Sequence, residues 1–183
     1  MTSLKTKNII TKGYNIKEEL IIRKKLENIT AWNIEFNENY ENRYDYDLCY
    51  FKHIIDDNEI GYKKDLIGFV EVEVSPQWDE YNIPENWYEI SFLKRKCFNF
   101  NFNLNKWTDE PKENYKKTIY LKSNKYYTNC FAVNIQDIID FSENSNRNDN
   151  SNSYKNSFLS MGKDHDKIKW VCDEIKILID DLI

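Results

Sequence analysis

Hydrophobic and polar residues alternate along several short stretches of this chain, and a period of two positions predicts β-strands. These stretches are rich in aromatic and β-branched side chains, which fit the pleated surface of a sheet. Turn-forming Asn, Asp and Gly residues occur in 56–65, so we expect the strands on either side to pair as an antiparallel hairpin. The predicted strands are 29–37, 44–51, 66–75, 98–104 and two within 117–135 that flank a turn at Ser123 and Asn124.

Two other stretches follow the 3.6-residue period of an amphipathic helix. Residues 15–29 begin with a capping box made by Asn15 and Glu18. Their apolar positions form one broad stripe, and Glu19 projects near the middle of it. Residues 165–183 also carry apolar residues at helical spacing, so we expect a second helix that packs on the sheet.

Two segments between these elements complete the predicted architecture. Residues 86–98 fit either a strand that runs into a helix or a helix throughout, and the pattern leaves this open. Residues 142–153 are polar and of low complexity, which predicts a mobile loop inside one domain that spans 1–183. The fold class predicted from all elements is α/β, with a central mixed sheet and flanking helices.

Composition narrows the classes of function. Hydrophobic residues make up 40% of the chain and charged residues 31%, which is typical of a globular protein. The net charge of −5 gives no overall attraction for nucleic acid or for an anionic membrane, so a polyanion would need a local basic segment. The sequence shows no signal peptide and no apolar run of membrane-spanning length. These features predict an intracellular protein, cytoplasmic or nuclear, without a membrane partner.

The spacing of cysteine, histidine and glycine excludes several common chemistries. The four Cys residues form no C-x-x-C pair and only two His residues accompany them, so we expect no structural zinc site. The chain also lacks a phosphate-binding loop, a dinucleotide-binding glycine motif and a Ser-His-Asp arrangement. This argues against a nucleotide triphosphatase, a dinucleotide enzyme and a serine hydrolase.

The predicted strand 66–75, "LIGFVEVEVS", carries two carboxylates within an apolar run. Glu71 and Glu73 are two positions apart, so both side chains project from one face of the strand, about 7 Å apart. Burying two like charges at this separation costs free energy unless a cation or hydrogen-bond donors meet them. Asp47 opens the apolar run of the neighbouring strand. Three carboxylates from two strands would form an oxygen-rich site that suits Mg²⁺ or Mn²⁺.

The same residues have simpler interpretations, which the sequence leaves open. Asp45 faces the same way as Asp47 and could take its place in the site. Glu71 and Glu73 could line the solvent face of an amphipathic strand, with the neighbouring valines pointing inward. The agreement between two adjacent strands, rather than the glutamates alone, favours a site.

This arrangement resembles the PD-(D/E)XK nuclease superfamily over residues 15–135. The features that carry the resemblance are an N-terminal helix, an acidic residue that opens a strand, a hairpin, and E-x-[KE] in the next apolar strand. Asp47 matches the motif's Asp and Glu71 its next acidic residue, and the resemblance implies that both bind Mg²⁺. Glu73 matches the position that usually holds a water-activating Lys, and Tyr46 stands where a Pro usually precedes the Asp.

Because Glu73 stands where the superfamily usually has Lys, the expected positive charge would have to come from another part of the chain. Three consecutive basic residues, Lys94, Arg95 and Lys96, could supply this charge or bind a phosphate, or could simply face solvent. We take Lys96 as the catalytic candidate and the other two as additional site residues. The first helix of the superfamily sometimes adds a carboxylate, a role that Glu19 would fit.

The resemblance implies a metal-dependent nuclease that hydrolyses DNA phosphodiester bonds, with two copies paired in an enzyme that cuts both strands. The alternative is a catalytically inactive module of the same fold that binds nucleic acid or a protein partner. The Glu at the usual Lys position and the negative net charge favour this alternative. Trp78 and Trp87 could stack on exposed bases or pack in the core.

Overall fold

A computed structural model describes residues 33–36, 46–55, 62–79, 83–104, 106–126, 128–145 and 158–170. Within these ranges the chain is a mixed α/β structure with many strands and two short α-helices. The strands are β1 (Asn33–Phe36), β2 (Leu48–Ile55), β3 (Tyr62–Ser75), β4 (Glu89–Leu93), β5 (Phe98–Asn101), β6 (Lys106–Pro111), β7 (Thr118–Asn124), β8 (Cys130–Asn134), β9 (Glu143–Ser145), β10 (Phe158–Gly162) and β11 (Lys169–Trp170). The helices are α1 (Lys94–Cys97), α2 (Ile135–Phe141) and the 3₁₀ turn Tyr115–Lys117.

Six strands form the central sheet, in the order β1-β2-β3-β7-β8-β11. The first three strands follow one another in antiparallel pairs, whereas β3 and β7 run parallel. A parallel pair needs a long connection that returns to the same end of the sheet. Here that connection contains β4, α1, β5 and β6. The central mixed sheet that the sequence predicts is therefore confirmed.

The main core lies where the central sheet, helix α2 and a second sheet of order β4-β10-β9 meet. Trp78 is fully buried and stacks on Phe131 of β8, with the ring centroids 5.8 Å apart. Phe92 of β4 meets Tyr120 of β7 edge to face at 5.3 Å. Aromatic rings from the two sheets thus fix β4, and with it α1, against the face of β7.

Several local predictions are confirmed. Strand 66–75 lies within β3, and its hairpin with the preceding strand forms as β2 pairs antiparallel with β3. In segment 86–98, the first of the two alternatives holds, because β4 ends at Leu93 and α1 begins at Lys94. The two strands predicted within 117–135 form as β7 and β8, but the turn predicted at Ser123 and Asn124 comes later, because both residues still belong to β7.

Strand 98–104 is shorter than its alternation predicts. β5 ends at Asn101, and the backbone N–H of Leu104 donates to the Asn101 side-chain oxygen at 3.0 Å. This local side-chain bond closes a turn, which competes with continued strand pairing. The chain then returns as β6.

Two predictions near the end of the chain need correction. Glu143–Ser145 do not belong to a mobile loop, because they form β9 on the edge of β10. Lys169–Trp170 are not helical, because they pair with β8 as β11. Backbone pairing with an available strand edge outweighs the local pattern in both places. Residues 165–168 are not helical either, because they form a turn in which the N–H of Ile168 donates to the carbonyl oxygen of His165 at 2.9 Å. Residues 146–153 and 171–183, and the predicted helix 15–29, lie outside the described residues. None of the helices among those residues has the length and apolar character to cross a bilayer.

Candidate functional site

The middle of β3 is buried on both faces of the sheet. Glu71 is 3% exposed, and its neighbours Val70 and Val72 are 1% and 7% exposed. The Glu73 side chain is only 12% exposed. These two glutamates therefore do not line a solvent face, and the interpretation of β3 as a simple amphipathic strand is wrong. Their burial requires partners for both charges.

Lys96 supplies the charge that faces Glu71. Its ammonium group donates to Oε1 of Glu71, to Oδ2 of Asp47 at 3.2 Å and to the carbonyl oxygen of Val72 at 2.6 Å. The lysine side chain is 12% exposed. A buried ammonium group has three protons to place, and these three acceptors satisfy all of them. Helix α1, which begins directly after β4, positions this side chain.

Asp47 lies just before β2 and is bound from the β3 side. The backbone N–H of Val72 donates to its Oδ2 at 2.8 Å, and the Lys96 ammonium reaches the same oxygen. Burial opposes ionisation of this carboxyl group. The charge of Lys96 and the hydrogen bonds from Val72, Glu71 and Lys96 outweigh burial and hold the pKa of Asp47 below its usual value. Asp47 is therefore ionised at neutral pH.

For Glu71, the effects that raise the pKa outweigh those that lower it. Burial and the nearby charge of Asp47 raise its pKa to about 7, although Lys96 and Lys112 lower it in part. Oε2 of Glu71 is buried and has no hydrogen-bond partner within the part of the chain that the structure describes, and Nζ of Lys112 lies 3.7 Å away from it. Burial disfavours the charged form of Lys96, but Asp47 and Glu71 outweigh it and raise the pKa of the ammonium group. Lys96 therefore stays protonated at neutral pH.

Glu73 belongs to a different group of contacts on the same face. The hydroxyl group of Tyr120 donates to its Oε2, and Nζ of Lys122 lies 2.9 Å from its Oε1. Tyr120 and Lys122 lie directly opposite Glu71 and Glu73 in the parallel pairing of β3 with β7. Lys122 also donates to the carbonyl oxygen of Ser91 at 2.6 Å, which ties this group to β4. Burial and the Glu73 charge raise the pKa of Tyr120 well above its usual value.

The structure thus divides the predicted carboxylates between two groups. Asp47 and Glu71 share Lys96, whereas Glu73 takes Tyr120 and Lys122 as partners. Among the described residues, no group of three or more His, Cys, Asp or Glu side chains is placed to hold a metal ion.

The remaining predicted residues have separate environments. Lys94 pairs with the exposed Asp109 at 2.7 Å, away from the buried carboxylates. Arg95 lines the cleft beside Lys96. Glu19 and Asp45 lie outside the described residues.

A cleft of about 760 Å³ opens beside these groups, bounded by β3, β4 and α1. Lys96 and Glu73 both line it, so these two side chains take part in the buried contacts and also border the open space of the cleft. We call this space the β3–β4 cleft. Further lining residues are Trp87, Tyr88, Glu89 and Arg95.

Sequence reasoning missed the residues that neutralise or orient the glutamates from elsewhere in the chain: Lys112, Tyr120 and Lys122. One signal was available, because Lys122 lies in an apolar strand much as the glutamates do. A charge in such a strand calls for an opposite charge on the strand beside it. Lys112 gives no comparable signal, since it follows Pro111 in a polar stretch.

No family model, no curated protein and no solved structure matches this chain.

Proposed function

We propose that this chain is a metal-dependent nuclease with a restriction-endonuclease-like core, which hydrolyses DNA phosphodiester bonds inside the cell. The observation that carries the proposal is the Lys96 ammonium in contact with both Asp47 and Glu71. Two carboxylates from adjacent strands and a lysine form the set that the family resemblance implies. The lysine comes from α1 instead of from position 73, where Glu stands.

Asp47 and Glu71 are the residues that would hold Mg²⁺ or Mn²⁺. Their oxygens are the hard ligands that these ions prefer, and Mg²⁺ often uses only one or two carboxylates, with water and substrate oxygens completing its shell. The buried Oε2 of Glu71, for which the described part of the chain offers no hydrogen-bond partner, supports the fit. The chemistry supplied there would be polarisation of a phosphate oxygen and a lower pKa for a bound water.

The other side chains have roles that follow from their charge. The pKa of Lys96 is raised by its two carboxylate neighbours, so its ammonium stays charged and can stabilise negative charge on an attacked phosphate. It cannot act as the base while it is protonated. Glu73 lines the cleft and is fixed by Tyr120 and Lys122, which suits a carboxylate that orients a water molecule.

The direct test is cleavage of single-stranded and duplex DNA and of RNA by the purified protein, with Mg²⁺ or Mn²⁺ and with EDTA. We expect Asp47→Asn and Glu71→Gln each to lower the cleavage rate by about 100-fold or more, because each removes a ligand charge. Asp109→Asn is the matched control, because that carboxylate is 83% exposed and pairs with Lys94 outside the site. It should cleave as the wild type does.

The folded state of each variant is checked by circular dichroism and thermal melting before its rate is compared. A wild-type protein that cleaves none of the substrates with either ion would reject the proposal. A Glu71→Gln protein that retains the wild-type rate would reject the assigned site.

A catalytically inactive module of the same fold is the second candidate, with nucleic acid or a protein as its partner. One observation favours it: Lys96, Lys112 and Lys122 together match the charges of Asp47, Glu71 and Glu73. Such a network can serve the fold alone. This candidate predicts no stabilisation by millimolar Mg²⁺ or Mn²⁺ in a thermal melt, whereas a nuclease with a metal site should be stabilised.

A further inference from the structure

The β3–β4 cleft has features that the cleavage chemistry does not require. Its volume of about 760 Å³ lies in the range of sites that hold a small molecule or one part of a polymer. Two adjacent aromatic residues, Trp87 and Tyr88, line it together with the guanidinium group of Arg95. Aromatic faces next to a cation are the usual means of binding an unstacked base and its phosphate.

Arg95 differs from the basic residues on either side of it. Lys94 is paired with Asp109, and Lys96 is paired with Asp47 and Glu71. Among the described residues, no carboxylate lies within ion-pair distance of Arg95. Because both neighbours are anchored, α1 holds Arg95 at the wall of the cleft. Its planar guanidinium group can donate two hydrogen bonds to one phosphate.

Hydrogen bonds hold the backbones of both aromatic residues. The N–H of Trp87 donates to the carbonyl oxygen of Pro84 at 2.9 Å, and the half-buried Trp87 ring packs against the main core. The carbonyl oxygen of Tyr88 accepts from the N–H of Lys163 at 3.1 Å, which holds its backbone. The Tyr88 side chain is nevertheless 81% exposed. A tyrosine ring has only two rotatable side-chain torsions, so it loses little conformational entropy when a base stacks on it.

Two carboxylates in the lining limit the charge of the ligand. Glu73 and Glu89 lie on the same walls as Arg95, and Lys122 already pairs with Glu73. A triphosphate would bring several negative charges next to these groups, which costs free energy. A ligand with one phosphate beside Arg95 and an uncharged base beside Tyr88 avoids this repulsion.

We propose that the β3–β4 cleft binds single-stranded nucleic acid, with one unstacked base on Tyr88 and the adjacent phosphate on Arg95. This inference rests on the proposed nuclease function and names its substrate class. Inside a duplex the bases are stacked and paired, so an internal base cannot offer its face to Tyr88 without leaving the stack. Single strands offer such faces at no unpairing cost.

The test is fluorescence anisotropy with a labelled oligothymidylate of about ten nucleotides, compared with a blunt duplex of the same length. EDTA is present throughout, so that binding is measured without cleavage. We expect the single strand to bind at least about 10-fold more tightly than the duplex. Tyr88→Ala and Arg95→Gln should each weaken single-strand binding by about 10-fold, the size of one stacking or phosphate contact.

Two control variants lie outside the cleft. Tyr126→Ala removes another exposed tyrosine, and Lys106→Gln removes an exposed cation on β6. Neither should change the affinity more than about twofold. Asp47→Asn should lose cleavage and retain single-strand affinity, since Asp47 does not line the cleft.

The outcomes separate this inference from the nuclease proposal. Metal-dependent cleavage that needs Asp47 and Glu71, together with unchanged binding in Tyr88→Ala and Arg95→Gln, would overturn the inference and leave the nuclease proposal standing. Binding that depends on Tyr88 and Arg95, without cleavage by the wild type under any condition, would overturn the nuclease proposal and leave the assigned binding site standing. Preference for the duplex, or no binding to the single strand, would also overturn the inference.

Discussion

The free-energy cost of Glu71 in the middle of β3 is set by its neighbours. Lys96 offsets part of the cost, but Asp47 adds a second negative charge to the same ammonium group. Charged groups removed from water are tolerated only when partners replace the lost hydration. The glutamates of "LIGFVEVEVS" are thus buried because lysines from three distant parts of the chain meet them.

Removing the charge of Lys96 tests this dependence. We expect Lys96→Met to lower the free energy of unfolding by about 3–5 kcal/mol, because Asp47 and Glu71 stay buried without their shared cation. The matched control is Lys94→Met, which should cost about 1 kcal/mol or less since its partner Asp109 is largely exposed. Urea unfolding at pH 7 measures both.

A double variant distinguishes an ion-pair effect from a packing effect. Glu71→Met with Lys96→Met should be more stable than the sum of the two single losses predicts, because removing both charges leaves only Asp47 unmatched. Additive losses would contradict the assigned pairing of Lys96 with Glu71.

The raised pKa of Glu71 makes the stability of the fold depend on pH. Burial raises the folded-state pKa to about 7 from 4.5, so between these pH values the folded protein binds the proton more tightly than the unfolded chain does. Stability from this group is therefore complete below pH 4.5 and is lost as the pH rises towards 7. Relative to Glu71→Gln, the wild type should lose about 2–3 kcal/mol across this window. Parallel unfolding profiles of the two proteins would contradict the raised pKa.

The strands show which elements local pattern can predict. Alternation and turn residues were sufficient for β3, for its hairpin with β2 and for the pair β7 and β8. They failed at β9 and β11, which pair with strands distant in sequence. They also could not reveal the parallel pairing of β3 with β7, which places Lys122 opposite Glu73. Long-range pairing depends on the whole topology, and a local window does not contain it.

The central sheet has no room for a Cβ atom at position 68, where Gly stands. Gly68 lies opposite Tyr50, where the register of β2 and β3 shifts, and the Tyr50 hydroxyl donates to the carbonyl oxygen of Lys117 at 3.4 Å across β3. A Cβ atom at Gly68 would lie 2.7 Å from Cζ of Tyr50 and closer still to that carbonyl oxygen. Such overlap with backbone cannot be relieved by a side-chain rotation.

We expect Gly68→Ala to lower the free energy of unfolding by about 1–3 kcal/mol through this overlap. Gly162→Ala in β10 is the control, since no atom of the described residues lies within 4 Å of its added Cβ, and its change should stay within about 0.5 kcal/mol. Chemical denaturation of the two variants measures the difference. Equal stabilities would contradict the predicted overlap, because they would show that the sheet accommodates a Cβ atom at position 68 without a loss of free energy.

At the scale of the whole molecule, the candidate site was only partly predictable. Asp47 and Glu71 were named from sequence because their types and spacing resemble a known motif. Lys96 was named because the basic run 94–96 could supply the charge that Glu73 does not, and the structure brings these three residues together. The separate role of Glu73 and the parts played by Tyr120 and Lys122 required the packing of β7 and β4 against β3. Sequence spacing specifies neighbours along a strand, whereas these partners lie on other strands.

The net charge of −5 bears on how strongly nucleic-acid binding should depend on salt. An acidic protein that binds a single strand through one guanidinium group should contact few phosphates, so its affinity should depend weakly on salt. Each phosphate contact to a single strand contributes about −0.7 to the slope of log affinity against log salt concentration. One contact gives a slope of about −0.7 for the wild type, and we expect a slope near zero for Arg95→Gln. Anisotropy titrations over a series of salt concentrations measure both. A slope steeper than about −3 would contradict the single-phosphate arrangement, because it would require an extended basic surface.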